Sequence, residues 1–323
     1  MPTTTEPEDD DRVEVTGELE HEVRELGIPP QWHDWRLDKV LVAVAAEFSR
    51  SHLQRLVEDG LVALDGRPLL QASKRVRVGQ QLRVELRPTA ESLAFRPEPM
   101  RLEVVFEDDH LIVLNKPAGL VVHPAPGHWS GTLLNGLLAH HPASSMLPRA
   151  GIVHRLDKDT SGLMMVGKTL QAVTSLVRAL AAREVQRLYM AIAHGGLAAD
   201  DCSVEAPIGR DPASRLRMAV HAAGRPARTD VSVVARRQGV TAIRCRLHTG
   251  RTHQIRVHLA HLGHPLVADR LYGGALALGM ERQALHAWKL SVDHPIRGER
   301  MEFTRPPPDD LARAWSAMTP LDL

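Results

Sequence analysis

The segment from Gly151 to Gly162 is the feature that most constrains how this chain can fold. Its polar residues lie between two apolar runs, residues 152–153 and 163–166, which are typical of strands that enter a core. The stretch between them holds two aspartates, two hydroxyl residues and three basic residues. Charged groups at the edge of a core need partners, so this segment is either a solvated turn or a functional loop completed by other parts of the chain.

Length and composition predict a globular protein of about two domains. The chain has 323 residues, 43% of them hydrophobic and 24% charged, and a domain typically takes roughly 150 residues. No apolar run approaches the roughly 18 residues that span a bilayer, and the first residues are acidic, unlike a signal peptide. Only Cys202 and Cys245 are present, which does not provide a disulfide framework. We therefore expect a cytoplasmic protein with no membrane partner.

The net charge of +1 hides an asymmetry along the chain. Residues 1–30 contain ten acidic and two basic residues, so the remainder carries 38 basic and 29 acidic residues, a balance of +9. A cationic body favours a polyanionic partner such as a nucleic acid. Arginine supplies 34 of the 40 basic residues, which suits phosphate binding but could equally reflect coding bias.

The chain divides into an acidic tail, a small unit and a larger unit. Residues 1–30 are predicted to be a disordered tail, because their composition cannot bury enough apolar surface. Residues 35–86 predict two helices followed by short strands around the turns at Asp65-Gly66 and Gly79-Gln80, a pattern that resembles an S4 RNA-binding domain. Its surface carries many basic residues, of which Arg36, Arg50 and Arg55 are the candidate RNA contacts. The proline-containing residues 87–101 are predicted to form a linker.

The larger unit is expected to span residues 102–310 and to be followed by a C-terminal tail, residues 311–323. Short apolar runs predict strands, and Thr132 and Thr169 are candidate N-caps of two helices. Residues 241–248 alternate between apolar and polar side chains, as in a half-buried strand. Because helices do not alternate regularly with strands, we predict an α+β fold around a mostly antiparallel mixed sheet with flanking helices.

Three segments of this unit carry residues suited to chemistry. The first is His-Arg-Leu-Asp-Lys-Asp-Thr-Ser-Gly at 154–162, and the second is the predicted strand 185–193, which contains Tyr189. The third is Thr-Gly-Arg-Thr-His-Gln-Ile-Arg-Val-His-Leu at 249–259. A further motif, Asn-Lys-Pro-Ala-Gly-Leu-Val-Val-His-Pro, occupies 115–124.

These motifs, in this order, resemble the RluA family of RNA pseudouridine synthases, and the S4-like unit makes the RluD type, which acts on large-subunit ribosomal RNA, the best match. The resemblance covers most of residues 35–305. It implies that Asp157 is the catalytic aspartate, Arg251 its ion-pair partner and Tyr189 the aromatic residue that packs on the target base. The implied reaction breaks the bond from C1′ to N1 of uridine and forms one from C1′ to C5. Attack of the carboxylate at C1′, attack at C6 and abstraction of a sugar proton to give a glycal all remain open.

The resemblance also implies contacts to RNA and a reaction without a cofactor. The candidate contacts in the larger unit are His154, Arg155, Thr160, Lys116, Arg187, His253 and Arg256. The isomerisation is redox-neutral, so neither a cofactor nor a metal is expected. Four histidines, His253, His258, His261 and His264, raise the possibility of a zinc site, but they have no cysteine partner and no clear tetrahedral spacing. The expected partner is 23S ribosomal RNA or its large-subunit precursor, and the protein is expected to be a monomer.

The chain departs from the family pattern at two places. His248 stands before the Thr-Gly-Arg turn, where the family commonly has Glu. Ala268-Asp269-Arg270 stands where the family commonly has Gly-Asp-Pro. Neither change touches the three proposed catalytic residues, so both bear on substrate contacts.

Parts of the sequence also fit two other functions. Residues 157–160 match the Asp-x-Asp-x-Thr signature of haloacid-dehalogenase-type phosphatases, but His154 and Arg155 interrupt the strand that should precede it, and no later acidic pair could complete a magnesium site. The second alternative is a ribosome-assembly factor that binds RNA through its S4 unit without catalysis. A factor of that kind would not require Asp157, Tyr189 and Arg251.

Overall fold

The structure is a computed structural model, and it describes residues 22–87, 94–125, 127–214 and 216–320. The chain divides into two compact units, Met1–Leu93 and Ala94–Leu323. No helix within the described ranges is long and apolar enough to cross a membrane.

The smaller unit is a four-stranded antiparallel sheet with two helices. Its sheet has the strand order β1-β4-β2-β3, and Ser49 caps α2 by accepting a hydrogen bond from the His52 N–H. Apolar side chains from both helices and from β2 and β4 form one core. The elements are β1 (Glu22–Gly27), α1 (Leu37–Val44), α2 (Arg50–Glu58), β2 (Val62–Leu64), β3 (Arg67–Pro68) and β4 (Gln81–Leu86).

Strand β1 corrects the predicted extent of the tail. Residues 1–21 lie outside the described residues, but Glu22–Gly27 pairs along its whole length with β4, and Ile28 is buried in the core. A strand at the edge of a sheet needs backbone hydrogen bonds on one side only, so the acidic side chains of Glu22 and Glu25 can remain in solvent. The predicted start of the folded unit at residue 35 is therefore too late.

The larger unit is built on a nine-stranded sheet. Its order is β5-β6-β7-β14-β8-β13-β12-β9, with β15 paired to β14, and every pair is antiparallel except β7 with β14. The strands of this sheet are β5 (Val104–Glu107), β6 (Leu111–Lys116), β7 (Ser161–Gly167), β8 (Gln186–His194), β9 (Asp201–Glu205), β12 (Arg228–Arg237), β13 (Val240–Leu247), β14 (Leu285–Asp293) and β15 (Arg300–Thr304). Two further strands, β10 (Ile208–Arg210) and β11 (Met218–Val220), form a separate antiparallel pair. The helices are α3 (Leu133–His140), α4 (Leu170–Ala181), α5 (Gln254–His261) and α6 (Asp309–Ser316). The predicted α+β class with a mostly antiparallel mixed sheet is confirmed.

Helix ends in this unit follow the sequence pattern. Thr132 caps α3 in a capping box with Asn135, and Thr169 caps α4 by accepting from the Ala172 N–H.

Large apolar clusters lie on both faces of the sheet and bury β7, β8, β13 and β14. The loop before β7, strand β8 and the turn after β13 therefore belong to or adjoin strands that are largely buried.

The predicted range of the larger unit is too short at both ends. Residues 94–101, assigned to the linker, pack on α3: the Asn135 side chain donates to the Arg96 carbonyl at 2.9 Å, and the Glu98 N–H donates to the Asn135 carbonyl. The predicted C-terminal tail contains most of α6, whose Leu311 and Trp315 are fully buried. The core therefore extends past both ends of the predicted range 102–310.

Gly162 allows the only parallel strand pair of the described sheet to form next to the polar segment. It has φ +118°, and a Cβ there would lie 2.2 Å from the Ala287 carbonyl oxygen and 2.6 Å from the Ala287 nitrogen. The obstacle is backbone on a central strand, which cannot move aside as a flexible side chain could. Any side chain at residue 162 would push β7 away from β14.

We predict that Gly162→Ala lowers the free energy of unfolding by about 3 kcal/mol or more, because it combines backbone strain with overpacking. Gly263→Ala is the matched control, since Gly263 also has positive φ (+83°) but nothing within 4 Å of its Cβ position. That change should cost only about 1 kcal/mol. Urea unfolding followed by fluorescence measures both, and equal losses would contradict the close-approach explanation.

Candidate active site

The three motif segments meet at one end of the central strands. Asp157 lies in the loop that leads into β7, Tyr189 lies within β8, and the Thr249–Arg256 segment links β13 to α5. Tyr189 is paired with Cys245 of β13 on one side and with Ala287 of β14 on the other. Segments about 100 residues apart are thus held together by the register of the sheet.

Arg256 links two carboxylates. Its Nη1 donates to Asp157 Oδ2 at 3.1 Å, while Nε and Nη2 donate to the two oxygens of Asp269 at 2.7 and 2.8 Å. The side chains of Arg256 and Asp269 are 7% and 1% exposed, whereas Asp157 is 16% exposed and reaches the cavity. Burial acts to lower the pKa of Arg256, but the two carboxylates outweigh it and raise that pKa above its ordinary value. A fixed positive charge therefore stabilises the anion at Asp157.

Arg251 does not occupy the position predicted for it. Its Nε donates to the Pro226 carbonyl at 3.1 Å, and its backbone N–H donates to the Gln254 side chain. The ion pair with Asp157 belongs to Arg256, which the sequence analysis treated as an RNA contact. Arg251 lines the same cavity as Asp157 without pairing with it in this structure.

His253 approaches Asp157 from the other side and is positioned by Tyr272. His253 Nε2 lies 3.9 Å from Asp157 Oδ1, and its Nδ1 lies 2.8 Å from the Tyr272 hydroxyl, which also accepts from the Met218 N–H at 3.0 Å. Burial lowers the pKa of His253 despite the nearby Asp157, so its ring is neutral near pH 7. His253 is thus a neutral polar group facing the carboxylate rather than a cationic phosphate contact.

Tyr189 forms an apolar wall of the cavity. Its side chain is buried, and its hydroxyl makes no hydrogen bond with any residue that the structure describes. Burial raises the pKa of Tyr189 to about 12, so the hydroxyl is protonated at physiological pH. Its ring lines the cavity beside Asp157, and in the free protein its hydroxyl is a protonated phenol and not a ready proton acceptor.

Lys116 is buried, His154 is half-buried, and both hold the loop that carries Asp157. His154 Nε2 accepts from the Met165 N–H at 3.1 Å, and burial lowers the pKa of His154 to about 3. Lys116 is fully buried and donates to the carbonyls of Pro117, Leu120 and Lys158 at 2.7–2.9 Å. Burial lowers the pKa of Lys116 to about 7, and Asp159 and Asp157 act in the opposite direction. Both predicted RNA contacts instead hold the loop to β6 and β7.

The loop is also held from the side of α6. Arg282 donates to both oxygens of Asp310 at 2.7 and 2.9 Å, and its Nη1 donates to the Asp159 carbonyl at 2.8 Å. Thr160, another predicted RNA contact, is buried and accepts from the Gln283 side chain at 3.3 Å. Helix α6, through Asp310 and Arg282, thus supports the loop that carries Asp157.

Three cavities meet at Asp157, and Arg155 and Asp157 line all of them. The one between Asp157 and Tyr189 measures about 40 Å³, little more than the roughly 30 Å³ share of one water molecule. Two wider clefts, of about 850 and 790 Å³, open on either side, and such volumes are typical of ligand sites. Arg155 is exposed at their junction, as an RNA contact requires, and Arg187 lines the 790 Å³ cleft.

Two of the three candidate RNA contacts of the smaller unit bind the same carboxylate. Arg36 and Arg50 both bind Asp38, at 3.1 and 2.7 Å, and these hydrogen bonds lower the pKa of that buried carboxyl, the bond from Arg36 most strongly. Both arginines are more than half exposed, so each keeps donors in solvent. Arg55 is exposed on α2 and forms no ion pair with another described residue.

The histidines considered for zinc have other partners. His258 contacts the Ala206 carbonyl and the Thr229 hydroxyl, and His264 contacts the His194 carbonyl. Within the described ranges, no group of three or more histidine, cysteine or acidic residues could hold a metal ion.

The departures from the family pattern lie beside the site. His248 Nε2 contacts Asp230 Oδ2 at 2.5 Å, on the wall of the 790 Å³ cleft. Ala268 has φ +59°, a conformation that favours glycine, which explains why glycine suits this place. Arg270 is exposed and lines the 850 Å³ cleft. Asp269, between these two residues, is the buried partner of Arg256.

Comparison with known proteins decides the family. The model for RNA pseudouridylate synthase matches residues 110–261, and that for the S4 domain matches residues 35–82. Ribosomal large subunit pseudouridine synthase D of Neisseria meningitidis serogroup A is 49% identical over 306 residues, which cover 91% of this chain and 81% of that protein. The chain belongs to the RNA pseudouridine synthase family. The resemblance stated from the sequence, including the S4 domain, is confirmed.

Other relatives and solved structures agree. Ribosomal large subunit pseudouridine synthase D of Nitrosomonas europaea is 45% identical, covering 91% of this chain and 87% of that protein. An uncharacterized RNA pseudouridine synthase of Bacillus subtilis is 45% identical, covering 86% and 92%. The human RNA pseudouridylate synthase domain containing 1 structure has a TM-score of 0.52 and 26% identity, and it covers 71% of this pseudouridine synthase and 90% of that chain.

Sequence reasoning missed three residues of this synthase's site. Asp269 was noted only as the middle of a divergent motif, and neither Tyr272 nor Arg282 was assigned a role. The signal for Asp269 was a carboxylate retained inside that motif. No signal in the sequence identifies Arg282, because its partners lie 28 and 123 residues away.

We predict that Arg256→Met lowers the free energy of unfolding by about 3–5 kcal/mol, because it leaves the Asp269 carboxylate buried and unpaired. Adding Asp269→Asn should restore much of the stability without restoring isomerisation. Arg251→Met, the matched control, should cost less than about 1 kcal/mol, since it removes one hydrogen bond of a half-exposed side chain. Urea unfolding and single-turnover assays measure the three variants. Equal destabilisation by Arg251→Met and Arg256→Met would contradict this assignment.

The low pKa of His154 predicts acid sensitivity. The pKa of His154 is about 3 in the folded protein against an ordinary value near 6.5, so between these values the unfolded chain binds a proton that the folded chain excludes. Stability should therefore fall as the pH decreases from 6.5, and His154→Gln, which removes the titrating ring, should lose less on acidification. Urea unfolding at pH 7.0 and 4.5 gives the comparison. A wild-type minus variant difference that stays constant between the two pH values would contradict the prediction.

Proposed function

We propose that this enzyme isomerises specific uridines of large-subunit ribosomal RNA to pseudouridine, with Asp157 as the reacting carboxylate. The observation that carries the proposal is the Asp157–Arg256–Asp269 arrangement, which places a partly exposed anion at the meeting point of three cavities. The names of the relatives from Neisseria and Nitrosomonas supply the class of RNA.

The two oxygens of Asp157 have different surroundings. Oδ2 accepts a hydrogen bond from Arg256, while Oδ1 faces His253 at 3.9 Å and has no closer polar partner among the described residues. Oδ1 is therefore the oxygen suited to act on the nucleoside. It could attack C1′, attack C6 or remove a sugar proton, and in each case Arg256 stabilises the negative charge on Asp157 before the step.

Tyr189 and His253 complete the pocket with neutral groups. The Tyr189 ring offers a face on which uracil can stack while it is detached from C1′ and turned to present C5. The neutral His253 ring, held by Tyr272, can donate or accept a hydrogen bond without competing with Arg256 for the charge. A detached uracil held among such groups can form the C5–C1′ bond that replaces the broken N1–C1′ bond without loss of the base to solvent; C5 then loses its proton to water and N1 is protonated.

The narrow cavity indicates how the target must arrive. At about 40 Å³ it cannot hold a uracil ring, so the base has to enter from a wider cleft as side chains move apart. A uridine must also leave its helix or come from a loop to reach Asp157. The exposed Arg155, at the junction of the cavities, is placed to contact the RNA that surrounds the displaced base.

The remaining parts of the proposal concern the affinity for RNA, the cellular location and the oligomeric state. The S4 domain, with Arg36, Arg50 and Arg55 exposed, is proposed to add affinity for RNA. A ribosomal RNA substrate and only two cysteines support a cytoplasmic location. We propose that the protein acts as a monomer, because the site is assembled from segments of one chain.

The decisive assay is release of tritium from large-subunit ribosomal RNA labelled at uracil C5. Wild-type enzyme should release tritium in the presence of EDTA, Asp157→Asn should reduce the rate at least about 10³-fold, and Tyr189→Phe should retain measurable release, because it keeps the stacking face. Lys158→Met, a change of an exposed neighbour, is the control and should retain release.

Each other result has a defined meaning. Release that persists in Asp157→Asn would overturn the role of that carboxylate. Binding of RNA by the wild-type protein without release would favour a non-catalytic assembly factor.

A further inference from the structure

The cleft on the Tyr189 side of Asp157 is strongly cationic. Its volume is about 790 Å³, and five arginines line it: Arg149, Arg155, Arg183, Arg187 and Arg251. Among its described lining residues, Asp157 is the only carboxylate. A cleft with low-dielectric walls and one sign of charge concentrates a field that attracts anions.

Arg187 is the unusual member of this group because it is buried without a counter-charge. The residue is 8% exposed and forms no ion pair with any described residue. Its only hydrogen bond to a described residue is a long one, 3.4 Å from Nη2 to the Thr249 carbonyl, and its Nε is buried with no partner. Because no carboxylate offsets the effect of burial, the pKa of Arg187 lies below its ordinary value. A buried unpaired guanidinium is costly, so its retention indicates a partner that arrives from outside.

The turn opposite Arg187 leaves room and donors for such a partner. A Cβ at Gly250 would lie 3.0 Å from Arg187 Nη1, so glycine keeps the space beside the guanidinium open. The N–H groups of Gly250 and Thr252, which both line the cleft, donate to no described residue. The site therefore combines a fixed cation with unused backbone donors, which suits an oxyanion.

We infer that this cleft binds a backbone phosphate of the RNA strand beside the target uridine, with Arg187 as its buried anchor. The inference rests on the proposed function and adds a specific phosphate site to it. A phosphodiester carries one negative charge and two terminal oxygens, which match the fork of a guanidinium. Arg187 lies two residues before Tyr189 on β8, so a phosphate on Arg187 would be positioned relative to a base stacked on Tyr189.

Two rim arginines extend the site along the strand. Arg149 and Arg183 are exposed, line the same cleft and have φ values of +52° and +64°. This left-handed conformation costs roughly 1–2 kcal/mol for a residue with a Cβ, and such strain is concentrated at functional sites. Their exposed charges are suited to neighbouring phosphates with weaker, salt-screened contacts.

The first test separates an anion site from a structural role. Arg187→Met removes a buried unpaired charge, so its melting temperature should equal or exceed that of the wild type. Its affinity for a target stem-loop RNA should fall roughly tenfold or more. The slope of log affinity against log salt concentration should also decrease by about one released ion. Arg178→Met, an exposed arginine on α4 outside the cleft, is the matched control and should leave both quantities unchanged. A variant that unfolds, or that melts lower while binding RNA normally, would overturn the inference.

The second test identifies the phosphate. Single methylphosphonate substitutions at each position flanking the target uridine neutralise one phosphate at a time. In the wild type, one position should reduce affinity roughly tenfold, and in Arg187→Met that position should have no further effect. Arg187→Lys should retain part of the coupling, because it keeps the charge but loses the fork.

The outcomes of this test are distinguishable from failure of the proposed function. If wild-type enzyme releases no tritium from unmodified ribosomal RNA, the proposed function fails. If release is normal but no methylphosphonate position couples to Arg187, only the phosphate site is overturned.

Discussion

The site depends on Arg256 contacting two carboxylates at once. Asp269 is almost fully buried and takes two hydrogen bonds from the guanidinium, which fixes its plane and its position. The third donor, Nη1, is then directed at Asp157. A buried bidentate pair is rigid, so the single bond to Asp157 is placed without further adjustment. The residue that we propose reacts, Asp157, is thereby oriented by Arg256.

The loop that carries Asp157 is held at several points by residues from distant segments. Lys116 binds the Lys158 carbonyl from β6, Arg282 binds the Asp159 carbonyl, and His154 accepts a backbone N–H from β7. Of the segment's own polar residues, Thr160 and Ser161 are buried, while its carbonyls at Lys158 and Asp159 are bound by Lys116 and Arg282 from outside the segment. The partly exposed Asp157 and the exposed Arg155 and Lys158 are the loop side chains that line the 850 Å³ cleft and are open to a ligand. Rigidity of this kind is what preorganised electrostatic catalysis requires.

The sequence was sufficient for the family, the fold class, the helix caps and the importance of the loop before β7, because these leave local patterns. It did not choose correctly between Arg251 and Arg256, since both lie in one motif and only the direction of α5 decides which one reaches Asp157. The C-terminal helix was missed although Leu311, Ala314, Trp315 and Met318 show its apolar spacing. Strand β1 was missed because the acidic composition around it outweighed a short edge-strand pattern. His154, Thr160 and Lys116 make contacts that support the loop, and the sequence could not show these contacts because their partners and their degree of burial depend on the fold.

The most direct measurement of the central claim is a crystal structure of the wild-type enzyme with a stem-loop RNA that carries 5-fluorouridine at the target position. Fluorine at C5 cannot leave as a proton, so the complex should be trapped near Asp157. The account predicts that Arg256 still contacts both Asp269 and Asp157 Oδ2, with Asp157 Oδ1 directed at the nucleoside and the base on the Tyr189 ring. A complex in which Arg251 contacts Asp157 and Arg256 contacts only Asp269 would contradict it.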